Sequence, residues 1–230
     1  MRGMMESFYS KAGNRIMAIA ISVLWLVVLY LVLAVTRIDP DQQMAQKIFY
    51  YHVPSAWTAG IAFLAVAVSG GFYLFTQNEK WDHLGLASAE LGTLFCALVL
   101  ITGPIWAKPI WGEPWSWEPR LTTVLIMFLI YIGYFLLRQF GEIGERTRRV
   151  SAVIGIAAFV NVPIIYVSVK FWSAEAQLHP QPGMSQQPAD VYWTFILSLI
   201  TFTLLFVHLL RNRLHLLKLQ SQMSRMRDDI

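Results

Sequence analysis

The sequence predicts an all-α membrane protein with six transmembrane helices, both termini in the cytoplasm and a tryptophan-rich loop on the outer face. Three observations carry this prediction. Of 230 residues, 56% are hydrophobic and only 14% charged, far from the roughly 25% charged residues of a soluble domain. Six apolar runs, at residues 15–36, 55–76, 84–105, 121–138, 150–170 and 191–211, approach the roughly 20 residues that cross a bilayer. With the N-terminus inside, thirteen of the 18 Lys and Arg residues fall on the cytoplasmic side, the bias expected of short cytoplasmic loops. The outer side keeps Arg37, Lys47, Lys108, Arg120 and Lys170.

The first run is too long for a secretory h-region and lacks a clear small-residue cleavage site, so it reads as a retained span. In the outer loop at 37–54, Asp39 as N-cap, Pro40 at the first helical position, and Met44 and Ile48 on one face predict a short interfacial helix. That loop leads to Tyr50, Tyr51 and His52. Glu90 and Cys96 lie in the third run, and residues 106–120 form the tryptophan-rich outer loop. In the fifth run, Asn161 and Pro163 predict a kink whose freed backbone groups find neighbours. Past the sixth run, Leu210, Leu214 and Leu217 recur at helical spacing among cations, which suits a helix continuing along the inner membrane surface. Every connection is shorter than a folded module needs, so residues 1–230 are expected to form a single integral membrane domain.

The charge bias accounts for the basic balance, and without a soluble domain to carry a basic groove a nucleic-acid role has no support. Cys96 is the only cysteine and lies within a span, so no disulfide or thiol exchange is expected on the outer side.

Tryptophan is unevenly placed. Trp57, Trp106, Trp111, Trp115, Trp117, Trp172 and Trp193 fall near or beyond the outer interface, whereas Trp81 alone is near the inner one. An aromatic belt, the ordinary alternative, anchors a protein at both interfaces and predicts rough balance, whereas seven against one favours a binding surface. In "WGEPWSWEPRLT", residues 111–122, Pro114 and Pro119 disfavour a continuous helix. An extended Trp115-Ser116-Trp117 then turns both indoles to one side. The expected result is a flat apolar shelf, suited to a planar, largely apolar ligand that would also cover irregular backbone.

His52 and His179 are both on the outer side, far apart in sequence and flanking the shelf. An outer histidine alone is ordinarily structural or solvated; two beside an aromatic shelf suggest the axial positions of heme iron, one on each face of the macrocycle. A Cys-x-x-Cys-His attachment sequence is absent, so heme is expected to be held without covalent attachment. Arg120, directly after the shelf, reads either as a snorkelling interface anchor or as a partner for a heme propionate or Glu118. Lys108 is a second candidate anchor. Glu113 and Glu118 are expected to hold the loop through local hydrogen bonds. Glu90 reads either as a functional carboxyl or as a bundle-facing group with a hydroxyl partner.

These residues resemble a known family. "WGEPWSWEPRLT" is similar to the tryptophan-rich motif of the cytochrome c assembly proteins. "YYHVPSAW" (50–57), "TGPIWAKPIWG" (102–112), "NVPIIYVSVKFW" (161–172) and "LHP" (178–180) resemble the C component of the Ccm cytochrome c maturation system. The resemblance implies a six-span bacterial inner-membrane protein that presents heme b at the periplasmic face. Its implied partners are the heme chaperone E component, a small single-span D component and the A/B ABC transporter. It further implies His52 and His179 as axial iron ligands, Trp111, Trp115 and Trp117 as the motif's tryptophans and Arg120 as its arginine; Trp106 and Glu118 complete the candidate heme-binding residues. Glu118 stands where the family usually has Asp, and Glu113-Pro114 where it often has Thr and an aromatic.

The expected role is heme handling and transfer, and no catalytic residues are assigned. A heme transporter with Glu90, Asn161 and Pro163 lining a path is the alternative, although symmetric broken spans are absent. An electron-transfer subunit of the cytochrome b kind would need histidines deep within facing spans. The larger single-component heme-attachment synthase shares the tryptophan motif, but this chain is short for its additional spans.

Overall fold

The computed structural model describes residues 11–142, 144–171, 184 and 187–228. Among them, seven α-helices make six candidate spans: α1 (Lys11–Tyr30), α2 (Phe49–Thr76), α3 (Glu79–Trp111), α4 (Pro119–Phe140), α5 (Glu145–Phe159) with α6 (Asn161–Phe171) as the fifth, and α7 (Ala189–Asp228). No strand occurs among these residues beyond a single bridge between Asp39 and Gln43. Helix is the local solution because hydrocarbon offers backbone N–H and C=O groups no other partner.

Several helices outrun the apolar stretches that predict them. Composition marks the length that lipid tolerates, whereas helical hydrogen bonding continues until a cap stops it. At the start of α3 the Asn78 side chain accepts from the Lys80 N–H at 3.0 Å. The helix then passes through Pro104 and Pro109. It stops at Gly112, whose φ of 84° is left-handed and whose N–H returns to the Lys108 carbonyl at 3.1 Å. Residues 106–111, read from the sequence as loop, are therefore helical. A proline costs about 3 kcal/mol in an exposed helix interior, but membrane helices tolerate it where neighbours and local adjustments satisfy the freed carbonyls.

The segment after the sixth apolar run is helical, as its leucine spacing predicts, and continues α7 as one helix of 40 residues. At 1.5 Å per residue it reaches roughly 60 Å, about twice the hydrocarbon thickness. The expected interfacial helix is also different. Asp39 Oδ1 does accept from the Asp41 and Gln42 N–H groups, at 2.9 and 2.8 Å. Gln43 then takes a left-handed φ of 51°, and a short 3-10 helix (Met44–Ile48) runs directly into α2.

The fifth span breaks at Val160, whose N–H bonds three residues back to Ala157 at 3.2 Å. Pro163 is the physical cause: it has no N–H to offer, and its ring conflicts with the carbonyl four residues earlier. Asn161 secures the break by donating from Nδ2 to the Thr123 carbonyl of α4 at 2.8 Å.

Helix α2 is the centre of the bundle, packed on α3, α5 and α7. Two glycines permit its close approaches. A Cβ on Gly92 would meet Phe63 Cε1 at 2.7 Å, and one on Gly155 would meet Val66 Cγ1 at 2.6 Å. Phe63 in turn stacks on Tyr131 of α4, with centroids 4.3 Å apart and planes at 15°. Trp25 of α1 stacks on Tyr51 at 5.8 Å and meets Phe202 of α7 at 4.9 Å.

The end of the bundle away from the tryptophan cluster at 106–117 is tied by ion pairs. Arg138 bonds both oxygens of Asp82, at 2.7 and 2.9 Å, and Glu79 takes Arg148 at 2.8 Å as well as Arg225. Glu90 is paired here with a guanidinium, that of Arg213, instead of the hydroxyl expected from the sequence.

Candidate functional site

The site is assembled from the start of α2, the end of α3, the connection at 112–118 and the first turn of α4. His52 lies in the first turn of α2 and is half-buried. Its Nδ1 is 2.8 Å from Thr102 Oγ1 of α3. Its ring lies over Gly103, where a Cβ would stand 3.5 Å from Cε1. Thr102 also donates its hydroxyl proton to the Leu98 carbonyl at 2.7 Å.

One helical turn beyond Thr102, on the same face, comes Trp106. Its Nε1 donates to Gln42 Oε1 at 3.0 Å, which pins α3 to the turn capped by Asp39. Trp106 meets Trp111 edge to face, with centroids 5.0 Å apart and planes at 84°. Lys108, the second candidate anchor, bonds the Gly112 carbonyl at 2.7 Å and so closes the end of α3.

Trp115 and Trp117 make a second pair, 5.7 Å apart at 78°. They touch, yet they do not lie in one plane as an extended strand would place them. Edge-to-face contact is the arrangement aromatic quadrupoles favour, and it gives two walls instead of a flat shelf. Trp117 is 75% exposed, whereas Trp115 is half-buried. Trp115 Nε1, Ser116 Oγ and Thr122 Oγ1 are buried with no hydrogen-bond partner among the described residues. Each unmet polar group costs about 1–3 kcal/mol.

Glu118 is only 8% exposed and occupies the N-cap of α4, with Pro119 at the first helical position. Its carbonyl accepts from the Thr122 N–H at 3.0 Å. A carboxylate is favoured at a helix N-terminus and a cation disfavoured, so Glu118 suits its position and half-buried Arg120, in that same turn, works against the helix dipole. Thr123 bonds back to the Pro119 and Arg120 carbonyls, at 2.6 and 3.0 Å, while Asn161 holds its own carbonyl. The break in the fifth span thereby braces the turn that carries Arg120.

Of the residues named from the sequence, His52, Trp106 and Trp111 form one group along α2 and α3; Trp115 and Trp117, followed by Glu118 and Arg120, form another. His179 lies outside the described residues. Thr102 and Gln42 escaped the sequence reading because each pairing joins positions separated by most of α2 and α3. The only local signal was a hydroxyl beside Gly103-Pro104, at the point where a helix can approach its neighbour.

These features define a polytopic α-helical membrane protein with a histidine and a tryptophan cluster at one end of its bundle. The family model described as Heme exporter protein C matches residues 4–228. The chain belongs to that family. It is 33% identical over 193 residues to the Heme exporter protein C of Bradyrhizobium diazoefficiens, covering 82% of this chain and 71% of the relative. The Escherichia coli K12 protein of that name is 32% identical over 174 residues, covering 73% and 71%. A putative cytochrome c biosynthesis ccmC-like mitochondrial protein of Marchantia polymorpha is 32% identical over 171 residues, covering 74% and 71%.

Proposed function

We propose that this chain is a heme-binding membrane chaperone of cytochrome c biogenesis, which holds heme b non-covalently at the outer face of the bacterial inner membrane. His52 and His179 ligate the iron from opposite faces. Trp106, Trp111, Trp115 and Trp117 grip the apolar macrocycle, and Arg120, steadied by Glu118, addresses a propionate. The observation that carries this reading is the placement of His52 against the helix that ends in Trp106 and Trp111, in a chain of the Heme exporter protein C family. The side-chain chemistry fits the cargo: an imidazole for iron, indoles for an apolar plane, and a guanidinium for a carboxylate.

Heme supplies the redox and bond-forming chemistry when bound, and the chain supplies position. Holding the macrocycle against walls of indole leaves an edge open to a partner. The E-component heme chaperone is the proposed recipient, with the D component and the A/B ABC transporter as the assembly around the chain. Glu90 and Asn161, candidates for lining a transport path, are engaged in helix-to-helix bonds, which supports a holding role over a conducting one. Reconstitution into heme-loaded vesicles tests the choice. The chaperone reading expects heme bound at the tryptophan-bearing face with no net flux; flux through this chain alone would support the transporter.

A further inference from the structure

We propose that Thr102 is a positioning residue that fixes the tautomer of His52, placing the ring proton on Nδ1 and the coordinating lone pair on Nε2. This rests on the reading of His52 as an iron ligand. Thr102 Oγ1 has one proton and two neighbours: the Leu98 carbonyl at 2.7 Å and His52 Nδ1 at 2.8 Å. A carbonyl oxygen only accepts, so the bond to Leu98 takes the hydroxyl proton. The hydroxyl oxygen then meets Nδ1 as an acceptor, and Nδ1 must be the nitrogen that carries hydrogen. In a neutral imidazole the lone pair then belongs to Nε2.

The surroundings enforce this arrangement. Thr102 is set by helical backbone, and its hydroxyl is held by the turn beneath it. The imidazole lies against α3 beside Gly103, the next residue, without crowding: even an added Cβ there would stand at ordinary contact distance, 3.5 Å, from Cε1. An outer partner on the second ring nitrogen orients a ligating histidine and raises its basicity, and its loss commonly costs 10–100-fold in metal affinity. Thr102 thus extends the site to a residue that need not touch heme.

The test uses full-length protein purified in detergent, with hemin as the probe. Thr102→Val keeps shape and removes the acceptor; Thr102→Ser keeps the acceptor. The expected result is hemin binding weakened by about 10- to 100-fold in Thr102→Val and near wild type in Thr102→Ser. In heme-free wild type, 15N NMR of labelled histidine, assigned by the signal lost in His52→Ala, should show a protonated Nδ1 and an unprotonated Nε2. Protonation on Nε2 in the wild type overturns the inference whatever the variants do. So does wild-type affinity in Thr102→Val, or equal weakening in Thr102→Ser. A His52→Ala protein with unchanged hemin affinity and spectrum overturns the ligand assignment itself, a separate failure.

Discussion

Arg213 and Glu90 are joined by two short charge-assisted hydrogen bonds, Nε to Oε2 at 2.5 Å and Nη2 to Oε1 at 2.7 Å, across 123 residues of chain. The side chains are 30% and 31% exposed, between the surface pair that contributes little and the buried pair whose disruption is severe. Arg213→Leu should therefore destabilise by about 1–3 kcal/mol, seen as a lower thermal unfolding midpoint in detergent. The swapped pair, Glu90→Arg with Arg213→Glu, should recover part of that loss. No recovery would mean that the two residues are not coupled.

Gly92 gives a packing prediction. An added methyl would stand 2.7 Å from Phe63 Cε1 and 3.1 Å from Ala62 Cβ, while Phe63 is held by its stack on Tyr131. Gly92→Ala should cost about 1–3 kcal/mol through overpacking. Combined with Phe63→Leu, its cost should shrink, the non-additivity expected of residues in contact. Additive thermal shifts would contradict the close approach of α2 and α3.

Gly112 gives a prediction about the tryptophan connection. Its φ of 84° costs an L-residue with a Cβ about 1–2 kcal/mol. Gly112→Ala should loosen the end of α3, where Lys108 bonds the Gly112 carbonyl, and weaken hemin binding more than it lowers the unfolding midpoint. Gly133, where an added methyl would enter open space and φ is not positive, is the control: Gly133→Ala should be nearly silent in both measurements.

Fold and site were not equally legible in the sequence. Six spans could be read because each needs about 20 apolar residues, a property local to the chain. The capping chemistry of Asp39 and the break beside Asn161 and Pro163 are local too, and both left readable signals. Helix ends were harder. The apolar run fades after residue 105, yet α3 passes Pro109 and runs on to Trp111 because its capping glycine comes later. Side-chain partners were least legible. Neither Arg213 on Glu90 nor Thr102 on His52 follows from spacing, since each pairing depends on which helix faces become neighbours. The two tryptophan pairs show the same limit: an alternating backbone can bring Trp115 and Trp117 to one side, but only packing decides that they meet edge to face.

The central claim is that two histidines hold heme iron beside the tryptophan cluster. Its most direct measurement is the absorption spectrum of the purified full-length protein, with and without reductant, for the wild type, His52→Ala and His179→Ala. Bis-histidine Soret and α bands are expected in the wild type, weakened or lost in each single variant. Wild-type heme bands retained in both variants would contradict the claim.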